Sequence, residues 1–505
     1  MLSVRFGTPA EFAAVRNILI GAGFTSTNVS ERGDVSDIYK FRTVGEGRKV
    51  GLEIRDRLDL LVRLFVDCLA VRSAQVDQFL SREDLAAIEA LGLLDRHPED
   101  PDRYASTVRL YPTAALFIAS DLETQAPGRA LADELEPPDH VFSAITTLTG
   151  TFLGQIPETP CDRFLEVCAG TGIAALRAAS TARHAWALDI TERSTRFAEF
   201  NARLNAIENF TARQGDLYDP VRGMTFDRIV AHPPYVPAPS VDMIYRDGGQ
   251  DGEQISRRIL AGLPEHLEPG GRFYCTWMTT DRKDAQLEQR VREMLGEQDD
   301  EFDLVAVTHQ AMPPGEYYGR LAAAGRISFA QAEERYQLFR DLGAERMVYC
   351  SLALQRHTTT RRAFTIRRES AEGSGSNQTE WLLGWCTTLE ETDTLAELLE
   401  ARPRLSEHAR LHVTHRVEGG EWKVDASEIR LQHPFVRTIE LSLNSAILLT
   451  LCDGDRSIRE ILERVKVTGA LGAEVHEQAF AEFVRVLIGE GVLVLAEPLL
   501  SVETQ

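Results

Sequence analysis

A chain of 505 residues is too long for one hydrophobic core and predicts roughly two to four domains. Its 55 basic and 77 acidic residues leave a net charge of −22, which repels phosphate backbones and makes nucleic acid a poor default partner. Apolar runs are far shorter than a membrane span, the start MLSVRFGTPAEF lacks a signal-peptide layout, and the seven cysteines form no CxxC pair. The expectation is a cytoplasmic protein without membrane, disulfide or metal chemistry.

Residues 1–125 predict a mainly helical domain. Ser81-Arg-Glu-Asp84 opens the helix LAAIEALGLL with a capping-box arrangement, and a polar turn and the strand-like ASTVRLYP follow Gly92. Helix, turn and wing suggest a winged-helix-like module, a protein-docking or dimer surface rather than a DNA reader. From 126 to 356 strands alternate with helices, the pattern of a doubly wound, mostly parallel sheet. The strand candidates are 164–168, 185–190, 210–214, 227–231, 271–278, 302–308 and 346–354. An insertion at about 311–345, holding MPPGEYYGR and SFAQAEERYQLFRDLG, is a candidate lid or interface. Residues 357–380 combine a basic piece, expected as a solvated strand edge, with a Gly/Ser-rich linker. In the last domain, 381–505, Ser457-x-x-Glu460 is a capping box, and strand, helices and wing again suggest a winged helix. His412 and His415 stand three apart on a predicted strand and face opposite sides, which argues against a shared metal.

Chemistry concentrates at the ends of the first four strands of the central segment. RFLEVCAGTGIAALRAA is a strand, a glycine loop and a helix start, where Gly170 and Gly172 let backbone approach a ligand. Glu166 at the strand end disfavours a phosphate and favours a positive group or ribose hydroxyls. About twenty residues on, Asp189 ends AWALDI, where an acid commonly grips ribose hydroxyls. Asp216 ends the third strand in RQGDLYDP, and the fourth delivers His232-Pro-Pro-Tyr235. One acid at a strand end is readily a helix cap. Four special residues at one sheet edge instead mark a ligand site.

On EVCAGTG, LDI, GDL, HPPYVP and YRDGGQDG…RRILAGLPEHLEPGGRFY, residues 115–356 resemble a class I S-adenosylmethionine-dependent methyltransferase. The narrower similarity is to HemK-like protein-glutamine N5-methyltransferases. The resemblance implies an α/β fold with a seven-stranded doubly wound sheet, its last strand antiparallel, flanked here by N- and C-terminal winged-helix-like domains. It implies that Glu166, Gly170 and Gly172 shape the pocket for the methionine portion of S-adenosyl-L-methionine. Asp189 would accept the ribose hydroxyls and Asp216 the adenine amino group, with Leu217 beside the ring. In the family's NPPY turn, the Asn oxygen and first proline carbonyl accept hydrogen bonds from the substrate NH2, and Tyr covers its plane. Here Pro233, Pro234 and Tyr235 remain, but His232 replaces Asn, and Cys168 replaces a loop glycine. A neutral His232 offers one acceptor nitrogen, or serves as a general base suited to an ammonium or hydroxyl nucleophile. Tyr245 and Asp247 are candidate substrate-rim residues, and Ser120, Asp121, Asp139 and His140 candidate pocket borders.

Residues 434–495, with LNSA and LCDGDRSIREI, are similar to small PqqD-like domains, which implies capture of a leader peptide. The resulting expectation is N-methylation of a protein or peptide, held by the C-terminal module, by a protein able to form a homodimer. The alternatives are methylation of nucleic acid (rRNA) or of a small natural product, and a cofactor-binding scaffold without turnover.

Overall fold

In the computed structural model, described for residues 4–41, 53–122, 137–238, 242–325, 327–391, 395–468 and 475–495, all seven expected strands form. They are β1 (Cys161–Val167), β2 (Ala182–Asp189), β3 (Phe210–Gln214), β4 (Phe226–Ala231), β5 (Leu267–Arg282), β6 (Phe302–Met312) and β7 (Ala344–Arg356). The chain divides into two compact units, Met1–Asp299 with Ala311–Thr358, and Asp300–Gln310 with Thr359–Gln505.

In the first unit the strand order is β3-β2-β1-β4-β5-β7. β1 to β5 are mutually parallel, and β7 runs antiparallel to β5. Both faces of such a sheet are covered by helices, so its strands are near-continuous apolar runs: Phe164, Leu165, Ile229 and Val230 are fully buried. Register is pinned at the bottom edge, where both Asp227 oxygens accept from backbone, at 2.8 Å from Asp162 N and 2.7 Å from Arg163 N. Strand order reverses at β1, which opens a crevice above the carboxyl ends of β1 and β4.

Helices α1 (Ile173–Ala178) and α2 (Glu192–Leu204) follow β1 and β2, and α3 (Gln254–His266) precedes β5. α2 is amphipathic, burying Phe197, Phe200 and Leu204. It also buries Asn201, which pairs with both the N–H (2.8 Å) and the carbonyl (3.1 Å) of Ala119. One turn on, Asn205 does the same to Phe117, at 2.8 and 2.7 Å. Two amides four residues apart thus imitate a neighbouring strand and bind the edge of the hairpin Arg109–Thr113/Leu116–Ser120 to the sheet domain. The expected single strand in ASTVRLYP is in fact two: Arg103–Ser106 pairs with Leu94–Arg96, and the chain then turns into that hairpin. The capping box at Ser81 and Asp84 forms in both directions, at 3.0 and 3.2 Å.

The insertion forms α4 (Pro314–Ala323) and α5 (Phe329–Asp341), which share a small core of Tyr318, Ala322, Ala332, Phe339 and Met347.

In the second unit β6 pairs in parallel with Thr365–Ser370. That strand forms largely in the basic piece expected as a strand edge, whereas the helix Ser376–Glu391 begins inside the expected Gly/Ser-rich linker and corrects it. Two of the basic residues are tied down rather than solvated: Arg361 makes a buried two-pronged pair with Asp303, and Arg368 pairs with Glu490 at 3.1 Å. Helices Ile458–Thr468 and Glu477–Gly489 and the strand pair Pro403–Leu405/Leu493–Leu495 enclose the unit's apolar core, which includes Ile461, Leu462, Val484 and Leu487. The capping box of Ser457 and Glu460 forms, at 2.8 and 3.2 Å. The side chains of Leu443 and Asn444 in the LNSA segment, and of Ile447 just after it, lie outside the described residues. Among the described residues no helix is long and apolar enough to cross a membrane.

Candidate functional site

The carboxyl ends of β1, β2, β3 and β4 converge on a cavity of about 540 Å³, a size that suits a small-molecule ligand. Glu166, Gly170, Asp189, Asp216 and Leu217 all line it. So do His232, Pro233, Pro234 and Tyr235, with Tyr245 and Asp247 beyond them. Gly172 does not. Its φ of +76° starts α1, and a Cβ there would meet the Ala198 Cβ at 2.9 Å, so this glycine serves helix packing. Gly170, φ +53°, has no atom within 4 Å of where a Cβ would stand, so a ligand can lie directly on its backbone. Cys168 adopts φ +58° and Leu217 φ +49°, left-handed conformations that are uncommon for residues other than glycine.

The acids are held by the backbone around them. Glu166 is buried and accepts from the first free N–H groups of α1, at 3.3 Å from Ala174 and 2.8 Å from Ala175. Burial raises its carboxyl to about 8, against the pull of those two donors. Asp189 orders both its loops: Oδ2 accepts from Gly170 N at 2.9 Å, and Oδ1 from the N–H and hydroxyl of Thr191, at 3.0 and 3.1 Å. Burial also raises Asp189. At the open end of the cavity Asp216 receives Arg258 of α3 at 2.8 Å. Arg258 was not foreseen, because its partner lies 42 residues away in sequence. Asn201 was missed for the same reason; its amide also donates to Thr171 O at 3.1 Å, so it steadies the glycine loop.

At the other end the β4 strand stops at the prolines. The His232 ring stacks on Phe152 at 5.1 Å and lies 6.0 Å from the Tyr235 ring. Its Nε2 is enclosed without a hydrogen-bond partner. Burial lowers its pKa to about 4, so the ring is neutral across the physiological range. Val236 N donates to Arg246 O and Gly248 N to Val236 O, both at 2.9 Å, which ties the proline turn to the next one. Asp247 organises that second turn, accepting from Asp242 N, Met243 N and the Arg246 guanidinium at 2.7–2.9 Å. Of the other candidates, Asp139 and His140 line the cavity, whereas Ser120 and Asp121 lie behind its wall.

Residues 138–305 match the family described as "Methyltransferase small domain". Over 130 residues the chain is 34% identical to the ribosomal protein uL3 glutamine methyltransferase of Bradyrhizobium diazoefficiens, covering 23% of this chain and 41% of that protein. It is 34% identical over 128 residues to the release factor glutamine methyltransferase of Moorella thermoacetica, 22% and 45% of the two chains. The chain therefore spans less than half the length of either relative. Among solved structures, the ribosomal protein L11 methylase of Lactobacillus delbrueckii aligns over 42% of this chain and 77% of its own, at 19% identity and a TM-score of 0.25.

Proposed function

We propose that the class I methyltransferase domain carried by residues 138–305 transfers a methyl group from S-adenosylmethionine to a nitrogen of a protein or peptide. The carrying observation is that His232-Pro-Pro-Tyr235 and the acids of three successive strand ends share one cavity. The residues present suit the cofactor. Gly170 leaves its backbone bare toward the cavity, Asp189 lines it at the second strand end, where a carboxylate meets ribose hydroxyls, and Asp216 and Leu217 flank space for an adenine. When bound, the cofactor supplies a methyl group on a positively charged sulfur. Glu166, spent on the start of α1, shapes the methionine end rather than reaching into it.

An amide nitrogen is a poor nucleophile because its lone pair is delocalised into the carbonyl. The Pro233 carbonyl and a neutral His232 nitrogen accept hydrogen bonds from the substrate N–H groups and localise that lone pair, while Tyr235 covers the plane. A ring with a pKa near 4 stays neutral and is a poor base, so His232 acts by orientation, and the proton released when nitrogen gains the methyl from sulfur leaves to solvent. By likeness to the two named relatives, the acceptor is a glutamine side chain of a polypeptide. The C-terminal module holds that polypeptide, and the winged-helix-like N-terminal segment serves as a homodimer surface. The net charge of −22 supports a protein over rRNA.

Labelling cell extract with radioactive S-adenosylmethionine and the purified protein, then digesting with protease or nuclease, tests this reading. Label lost to protease and insensitive to salt supports it. Label lost to nuclease refutes it in favour of a nucleic-acid acceptor, and cofactor binding without any label refutes it in favour of a scaffold.

A further inference from the structure

Residues 137–145 cross the site as a strap, and Asp139 to Ala144 form one continuous wall of the cavity. Nothing in the strap's own backbone holds it there beyond one turn, His140 N to Pro137 O at 2.9 Å. Its anchors come from elsewhere. Ile244 N donates to Pro138 O at 2.9 Å, and Ala144 N donates to the buried Tyr111 hydroxyl at 2.7 Å. The central anchor is Asp121. Its N–H donates to Val141 O at 3.1 Å and its Oδ2 accepts from Val141 N at 2.9 Å. The same carboxylate receives Arg193 through two nitrogens, Nε at 2.6 Å. Both side chains are largely enclosed, at 6% exposure for Asp121 and 15% for Arg193.

Arg193 is the second residue of α2, the helix capped by Thr191, and Thr191 is bonded to Asp189. Asp189 is therefore linked to Val141 by the Thr191 hydrogen bonds, the covalent backbone from Thr191 to Arg193, and the Arg193–Asp121 and Asp121–Val141 hydrogen bonds. Asp139, on the strap itself, adds a longer-range pull on the Arg193 guanidinium. A surface pair would not need this geometry, whereas a two-pronged arginine–carboxylate pair fixes both distance and orientation.

We propose that Asp121 and Arg193 are positioning residues that latch the strap against the cofactor side of the site, so that occupation of the cavity beside Asp189 and order of residues 137–145 are coupled. Neither residue touches the ligand; the pair acts through Val141. This rests on the cofactor reading above. S-Adenosylhomocysteine is the probe, titrated calorimetrically into the wild type, Asp121→Asn, Arg193→Lys and the double variant Asp121→Asn/Arg193→Gln. Asp121→Asn keeps an acceptor for Val141 N–H, and the double variant leaves no charge unpaired, so a folded protein is available for comparison. Asp121→Asn should weaken binding roughly tenfold, Arg193→Lys less, and the double variant no more than Asp121→Asn alone, as expected for residues acting as one unit. Hydrogen exchange supplies a readout that a purely structural pair would not move: the probe should slow exchange of the 137–145 backbone in the wild type and fail to do so in Asp121→Asn. Wild-type affinity and wild-type protection in Asp121→Asn would overturn the latch alone. A wild type that does not bind the probe would overturn the cofactor reading and the latch together.

Discussion

His232 can be tested through protons. An exposed imidazole titrates near 6.5, and burial moves this one to about 4. A difference of roughly 2.5 pH units corresponds to about 3 kcal/mol between protonation states. Below pH 6.5 the unfolded chain binds a proton that the folded ring refuses. His232 therefore costs stability progressively as pH falls from about 6.5 toward 4, and nothing above that window. At pH 6 roughly 1% of the folded rings would carry a proton, so an acceptor role predicts turnover that does not sense His232 ionisation above about pH 5. The assay compares kcat/KM from pH 5.5 to 8 for the wild type and His232→Asn, on the acceptor found by labelling. The ratio of the two should stay flat, because both side chains present a neutral acceptor throughout. A wild-type rate falling tenfold per pH unit below about 6.5, with no such fall in His232→Asn, would show that the ring titrates near 6.5 in the folded enzyme and refute the assignment of a ring that stays neutral through this range. Denaturant unfolding gives a second check without an acceptor: His232→Gln should lose less stability between pH 7 and 5 than the wild type.

Glu166 has the opposite sign. With its folded pKa raised to about 8 from the ordinary 4.5, it costs stability as pH rises from about 4.5 through 8, so Glu166→Gln should melt at more nearly the same temperature at pH 5 and 8.5 than the wild type. Asp189→Ala removes three hydrogen bonds that order the glycine loop and the α2 cap besides any ribose contact, and should weaken S-adenosylhomocysteine binding by roughly ten- to a hundredfold in calorimetry. Asn201→Leu strands both polar groups of Ala119 and the Thr171 carbonyl; about 2–3 kcal/mol of stability and a melting point lower by several degrees are expected, read by denaturant and thermal unfolding.

Much of the central sheet is legible locally. An all-apolar strand flanked by glycine, or ended by two prolines, announces itself within ten residues, because burial on two faces leaves no room for polar side chains. The special residue at each strand end is legible from its place: Asp189 ends an apolar run, and Asp216 follows the glycine that closes the third strand. In 357–380 the polar composition reads as linker and solvated edge, yet the helix Ser376–Glu391 begins there, and Arg361 is buried and neutralised by Asp303, a partner far along the chain. Asn201 and Asn205 look like ordinary exposed helix residues until a hairpin lies against them.

By itself, then, the order of residues determined the fold class and the identity of the strand ends that meet, since hydrophobic period, glycine and proline act over short range. Only the tertiary structure decided the protonation state of His232, the engagement of Glu166 by α1 and of Asp216 by Arg258, and the seating of the strap on Asp121. Those depend on how much water each group loses and on which partner arrives from tens of residues away.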